Sequence, residues 1–499
     1  MSAKQYLLGL DIGSSSIKAT LVDADTGISV SSAQSPKEEM PMLAVQPGWA
    51  EQDPDLWWQH VVISTKDCLK SVDASKVKAI GIAYQMHGLV VVDKNLKPLR
   101  NSIIWCDSRA VGIGEKTFSQ LGDEYSLKYL LNSPGNFTAT KLRWIKEHEP
   151  EVYSRIHKIM LPGDYIALKL TGEATTTATG LSEGIFWDYQ QHNVSQKLLD
   201  CLEIDRNILS AVVEVFSEQG SLMKRAADEL GLPSGIKIAY RAGDQPNNAF
   251  SLNVLNPGET AATAGTSGVI YSVTDQNSFD MKSRVNAFIH VNSKADAIRN
   301  GILLCVNGTG ILNSWMRKNT VSNGSAYSYE QINSMASTSS IGSEGISVLP
   351  FGNGAERILE NKNIAASFHG LDFNRHNQSH LFRASQEGIV FALNYGFEIL
   401  QSMGLKSEVI RAGHANMFLS PLFQEAFANT TGVRLELYDT DGAKGAALGA
   451  GVGAGIYKSF PEAFKGLKRI RSVDPDIHLR EQYLSAYQLW KERLEKVLG

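Results

Sequence analysis

Two aspartates stand where phosphate chemistry has a place to happen. Asp11 lies in Leu-Asp-Ile-Gly-Ser-Ser-Ser (10–16), just ahead of a glycine turn carrying three hydroxyls. Asp244 lies in Arg-Ala-Gly-Asp-Gln-Pro-Asn-Asn (241–248), between a glycine and a proline. Two further turns share the character of the first, Ala-Gly-Thr-Ser-Gly at 264–268 and Arg-Ala-Gly-His-Ala-Asn at 411–416. Glycine turns of this kind present backbone N–H groups to phosphate oxygens. An acid at the mouth of the first suits Mg²⁺, which keeps much of its hydration shell and is held through water. A fourth motif, Gln-Met-His-Gly (85–88), ends one apolar run and precedes another. Each has a plainer reading. Asp beside Gly and Pro usually shapes a turn or a helix cap, Met86 alone is core packing, and one His at a strand end is most often a satisfied core residue.

The elements that must hold these residues follow from hydrophobic pattern. Tyr-Leu-Leu-Gly-Leu (6–10) reads as a buried strand, and Ile17, Ala19 and Leu21 alternate with Lys18 and Thr20 as a second. Lys18 on this reading is solvated. Strand, glycine turn, strand excludes a P-loop and a dinucleotide fingerprint, both of which need a helix directly after the glycines. Residues 258–276 repeat the layout, which suggests an internal duplication. Asp53-Pro54 starts a helix over 53–69 and Ser420-Pro421 starts another, by cap and first-turn chemistry. Residues 77–84, 89–93 and 408–413 read as strands, and the small-residue stretch 442–457 as a helix able to lie close against a sheet or a nucleotide. Residues 319–345, rich in Ser and Asn, read as a surface segment. The tryptophans at 49, 57 and 58 are assigned to the core, and Asp107–Arg109 to either a structural pair or sugar contact.

At 499 residues the chain exceeds one ordinary core. A boundary falls in 251–260, giving an N-terminal domain over 1–255, a C-terminal domain over 256–470, and a final helical segment, 471–499, expected to pack back on the N-terminal domain. With 43% hydrophobic and 20% charged residues the composition is globular, and a formal charge of −4 speaks against nucleic acid or an anionic membrane as partner. Four scattered cysteines without a C-x-x-C fit a reduced, cytoplasmic setting. The apolar run at the start is too short for a signal peptide.

Taken together, "LDIGSSSIKATLVD", "PGWAEQDPDLWW", "GIAYQMHGLVVVD", "IIWCDSRA", "FTATKLRWIKEHEP", "LPGDYIALKLTGE", "AGDQPNNA", "ATAGTSGV" and "GAKGAALGAG" resemble the FGGY carbohydrate kinases over nearly the whole chain. The resemblance implies an α/β fold of two actin-like, ribonuclease H-like ATPase domains around a nucleotide and sugar cleft. It implies ATP and Mg²⁺ as cofactors and a pentulose, D-xylulose, as acceptor. Other sugars or polyols (ribulose, gluconate, a tetrulose, glycerol) are the near alternatives, and a non-catalytic nucleotide switch or sugar sensor the distant one. A homodimer is common among relatives. Carried over residue by residue, Asp11 matches the metal-associated acid, Gly13, Ser14 and Ser15 the first phosphate turn, and Gly265, Thr266 and Ser267 the second. Met86 and His87 match the sugar-contacting dipeptide, where glycerol kinases carry Arg-Glu. Asp244 matches the general base, for which an ordinary carboxyl pKa suffices. Gly413 and Asn416 match the adenosine loop. The chain departs from the family at Arg411-Ala412, where relatives carry glycines, and at Gln245, which stands where relatives carry a sugar-contacting Asn; Gln245, Asn247 or Asn248 is expected to make that contact instead.

Overall fold

The computed structural model describes residues 4–322 and 325–499; Asn323 and Gly324 of the Ser- and Asn-rich segment lie outside the described residues. The apolar run at the start forms β1 (Tyr6–Ile12), and after the serine turn β2 (Ile17–Asp23) and β3 (Ser29–Ser35) return antiparallel. The buried runs 77–84 and 237–243 supply β4 (Val77–Tyr84) and β5 (Lys237–Gly243), which lie parallel to β1 in the order β5-β4-β1-β2-β3. Parallel neighbours buried on both faces read as continuous apolar runs.

The second half repeats this arrangement. Its strands are β6 (Thr260–Ala264), β7 (Gly268–Thr274), β8 (Asn286–Ile289), β9 (Asn300–Val306), β10 (Val409–Gly413), β11 (Arg434–Tyr438) and β12 (Arg469–Val473). Their order is β8-β9-β7-β6-β10-β11-β12. β6 pairs antiparallel with β7 and parallel with β10, and β10 parallel with β11. Within it, β11-β10-β6-β7-β9 matches β5-β4-β1-β2-β3 strand for strand in order and direction, so the duplication expected from two glycine turns is present in the topology.

Helices cover the sheets. α1 (Pro54–Leu69) is capped by Asp53, as its sequence predicts, and lies on β2 and β3. α2 (Thr138–His148) belongs to the long insertion between β4 and β5. α3 (Asp244–Ser251) follows β5 directly. α4 (Gln378–Ser402) and α5 (Pro421–Thr431, capped by Ser420) pack with the second sheet. The small-residue stretch forms α6 (Gly442–Gly453), which lies on β1, β4 and β5 of the first sheet although it follows β11 of the second. Contact is backbone to backbone: a Cβ on Gly9 would come 1.8 Å from the Ala443 carbonyl oxygen, and one on Gly81 2.0 Å from that of Ala446.

One expectation is corrected. The last helix, α7 (Ile477–Leu498), does not return to the N-terminal half; it packs on α4, α5 and the strand Ser347–Phe351. Trp490 is fully buried there and donates from Nε1 to the Val348 carbonyl at 2.8 Å, while the Tyr483 hydroxyl bridges Arg383 and Glu425. Aromatic burial with a satisfied polar tip anchors such a helix. Among the described residues no helix is long and apolar enough to cross a membrane, and all four cysteines are free thiols.

Candidate active site

A cleft of about 320 Å³ opens at the carboxyl ends of β1, β4 and β5. This is where open α/β sheets take ligands. Asp11, Gly13, Ser14, Ser15 and Asp244 line it, joined by Ser16, Lys18, Gln34, Gln85 and Trp105.

Sheet register delivers the two acids. Asp11 lies opposite Ala83, one residue before the end of β1, and Gly243 lies opposite Tyr84 at the end of β5. Of the turn and the helix cap that its Gly and Pro neighbours predict, Asp244 forms neither but lies next to the second: it is the first residue of α3, with Gly243 as N-cap. Gly before, an acid in the first turn, and Pro246 where no helical N–H is required also spell a helix start. Gly243 has no room for a side chain: a Cβ there would meet Glu183 Oε2 at 2.4 Å and Met86 Cγ at 2.7 Å. Gly442 is equally constrained, because its Cβ would fall 2.2 Å from Asp11 Oδ2, so the N-terminus of α6 rests on the Asp11 carboxyl.

Burial pushes the Asp11 carboxyl up to about 6, with Asp441 adding repulsion and Lys18 opposing. Burial likewise pushes Asp244 up to about 7, reinforced by Asp11 and opposed by hydrogen bonding from Gln245. The expectation of an ordinary pKa for Asp244 is therefore replaced by a carboxyl titrating near neutrality. Lys18, read as solvated, instead faces the cleft and pairs with Asp441, the N-cap of α6. Period-two alternation puts Lys18 on a polar face without showing that this face turns into a cleft.

The two hydroxyl turns share one construction. In the first, the Ser14 carbonyl accepts from Gln52 Nε2 at 2.7 Å and the Ser15 carbonyl from the Met40 N–H at 2.8 Å. In the second, the Gly265 carbonyl accepts from the Gly310 N–H at 2.8 Å and the Thr266 carbonyl from the Ile311 N–H at 3.2 Å. The N–H groups of Ser14, Ser15, Thr266 and Ser267 have no partner among the described residues. Carbonyls tied to neighbouring segments and adjacent N–H donors left without a partner are the features of an anion cradle. Ser267 bonds to the Cys305 thiol, which burial raises to about 12 and which also feels the Asp244 charge, so the second turn lies near the first-sheet acids. Asn416, in a left-handed conformation (φ 53°), is Gly265's neighbour: a Cβ on Gly265 would sit 3.6 Å from its amide nitrogen. Gly413 ends β10 beside the Thr440 carbonyl.

Met86 and His87 do not line the phosphate-side cleft. Met86 packs against Gly243. His87 holds a left-handed backbone (φ 61°), a conformation costly for any residue but glycine, and its ring lies between Phe137 and Phe288. Its Nδ1 is 2.7 Å from the Glu183 carbonyl, which accepts only, so Nδ1 carries the proton and Nε2 is left an acceptor. Burial, helped by Lys141, holds the ring's pKa down at about 3, so it stays neutral. Fully buried Lys141 donates to the carbonyls of His87 and Ile104 and fixes this corner. Gln245 stays beside Asp244, whereas Asn247 is occupied with the Gly442 carbonyl at 2.9 Å. Asp107 and Arg109 are a buried, doubly bonded pair with Trp49 stacked on the guanidinium, a structural unit; Trp105 reaches the cleft and donates to Ser14 Oγ at 3.3 Å.

Known proteins are similar to this chain in sequence and in fold. Residues 6–251 match the N-terminal domain of the FGGY family of carbohydrate kinases. Xylulose kinase of Bacillus subtilis is 27% identical over 497 residues, spanning 98% of this chain and 96% of that protein. In fold, a gluconate kinase from Lactobacillus acidophilus superposes with a TM-score of 0.90 at 24% identity, covering 100% of this chain and 99% of that one. A Plasmodium falciparum glycerol kinase with ADP superposes with a TM-score of 0.87 at 20% identity, covering 99% of each. The doubled sheet is thus the actin-like ATPase fold, and with its first half matched to the family's own N-terminal domain and its full length to a curated relative, the chain belongs to the FGGY family of carbohydrate kinases.

Proposed function

We propose that this chain transfers the γ-phosphoryl group of ATP to the primary hydroxyl of D-xylulose, giving D-xylulose 5-phosphate, with Asp244 as general base. The observation that carries the chemistry is Asp244 in one cleft with the first hydroxyl turn: an acid titrating near neutrality beside Ser14 and Ser15, whose N–H groups have no partner among the described residues. The acceptor rests on the similarity to a curated xylulose kinase and on the Met86-His87 step.

Phosphoryl transfer asks for positioning and charge neutralisation more than covalent chemistry. On this reading Ser14 and Ser15 hold phosphate oxygens from one side, and Thr266 and Ser267 from the other. Gly413 and Asn416 border the nucleoside. His87 Nε2 accepts a hydrogen bond from a sugar hydroxyl, and Gln245 offers its amide to another. Asp244 takes the proton of the attacking hydroxyl as that oxygen meets phosphorus in line; a base with pKa near the working pH suits this task. The donors here suit Mg²⁺: the Asp11 carboxylate is a hard oxygen ligand, and among the described residues no group of three acidic, His or Cys side chains forms a closed protein cage. A hydrated ion held through water by Asp11 would neutralise phosphate charge.

The test is Asp244→Asn, assayed for sugar-dependent ADP release and separately for sugar binding. Loss of turnover by a factor of roughly 10² or more with binding kept is expected; turnover near that of the parent would refute the base. A panel of pentuloses, polyols and aldonates decides the acceptor, and D-xylulose is expected to show the highest kcat/KM.

A further inference from the structure

Gln85 is a buried amide at the cleft. It is 3% exposed, lines the cleft, and among the described residues neither its Oε1 nor its Nε2 has a hydrogen-bond partner. Leaving a buried carboxamide unpaired is unfavourable, and no neighbour among the described residues relieves it. Its backbone is tightly placed, for the Gln85 N–H donates to the Ile12 carbonyl at 2.9 Å.

Topology says what the amide faces. β4 lies between β1 and β5, and all three run parallel. Asp11 comes from the end of β1, Asp244 from the residue after β5, and Gln85 from the residue after β4, so the neutral amide stands between the two acids at one rim of the sheet. Both acids are acceptors when ionised, and Gln85 Nε2, on the strand between them, carries two N–H hydrogens with no partner among the described residues.

We propose that Gln85 is a further catalytic residue of the phosphoryl transfer, its amide nitrogen holding the attacking hydroxyl oxygen and one oxygen of the transferring phosphoryl group at the same time. A carboxamide nitrogen carries two hydrogens in one plane, so a single rigid group sets the distance and line between nucleophile and phosphorus. The proton balance is unchanged. The hydroxyl proton passes to Asp244, the new O–P bond forms, the bond to the leaving phosphate breaks with its electron pair departing on ADP, and Gln85 gains and loses nothing. The proposal rests on the kinase reading above and adds a residue to it.

The test uses the full-length chain and two variants of matched size. Gln85→Glu keeps the shape and removes the N–H donors; Gln85→Leu removes both polar ends without adding charge. In both, kcat with D-xylulose is expected to fall roughly 10²- to 10³-fold, the loss typical of a donor aimed at developing charge. KM for sugar and equilibrium sugar affinity, followed by the fluorescence of cleft-lining Trp105, should stay within about threefold, as for an interaction made in the transition state. A kcat in either variant within about fivefold of the parent overturns the proposal, as does a loss carried wholly by KM. Should Gln85→Leu fail to fold, as judged by thermal unfolding, Gln85→Glu decides alone. A parent chain inactive on D-xylulose but active on another acceptor revises the functional reading, and the same comparison is then made with that acceptor; a parent inactive on all of them sinks both.

Discussion

Asp244 shows how much a residue's role depends on what buries it. A carboxyl raised by burial and by Asp11 to about 7 is half-ionised near neutral pH, so kcat/KM should fall as pH drops below about 7, and Asp244→Asn should abolish that limb with the activity. Stability should move the opposite way. The folded-state pKa lies above the unfolded value of about 3.9. The Asp244 contribution is therefore fully present below that value and is lost as pH rises through about 7. Asparagine carries no charge to lose, so without divalent cation Asp244→Asn should melt higher than the parent at pH 8, with the gap closing towards pH 4. Equal midpoints at pH 8 would contradict the raised pKa. His87 makes a second residue-scale case: truncation to Ala removes the Nε2 acceptor and should raise KM for the sugar roughly tenfold, about the worth of one hydrogen bond. The sequence showed these residues only through their company, since Asp244 in isolation reads as a turn and His87 as core. Gln85, within "QMHG", carries no such signal, and Lys18, within "IKATL", reads as solvated, because which neighbours a side chain meets or lacks is a property of packing.

At the scale of elements, most boundaries follow from local chemistry. Asp53-Pro54 and Ser420-Pro421 start helices where cap rules put them, and strands β1, β2 and β4 follow apolar runs. What local chemistry does not carry is which sheet a helix joins. α6 reads correctly as a close-packing helix, but its place on the first sheet is decided by Gly9 and Gly81, more than 360 residues away in the chain. α7 is amphipathic by pattern, and the pattern does not say that Trp490 fits beside Val348. The α6 contact yields a sharp expectation. Gly81→Ala places a methyl 2.0 Å from the Ala446 carbonyl, a backbone atom that moves only if the helix moves. Overpacking of this kind costs about 1–3 kcal/mol or more, so Gly81→Ala should lower the urea midpoint clearly, while Gly404→Ala, next to no atom within 4 Å, should cost only the strain of its left-handed backbone (φ 85°). A Gly81→Ala midpoint equal to the parent's would mean that α6 is not seated as described.

For the whole molecule, the decisive fact is that the two anion cradles belong to different sheets while one helix pair laces the halves together. Ser14 and Ser15 move with β1; Thr266 and Ser267 move with β6. α6 comes from the second repeat but rests on the first sheet, and α3 packs against it, with Asn247 donating to the Gly442 carbonyl. Lys18–Asp441 ties the same junction. A nucleotide held by both turns has to satisfy donors on two bodies at once, and bodies joined through packed helices adjust by small sliding motions or by bending at the connections. Each ligand can shift that equilibrium only by its preference for the closed form. Sugar on the first half and nucleotide across both should therefore act together, with sugar alone giving a partial response. Closing would also shut water out of the cleft and limit ATP hydrolysis without sugar. In solution scattering the radius of gyration should fall with sugar plus a non-hydrolysable ATP analogue, and fall less with sugar alone. An unchanged profile with both ligands would show that the cradles are preset at their working separation. Catalysis would then rest wholly on groups already in place: Asp11, Gln85 and Asp244 at the rim of three parallel strands.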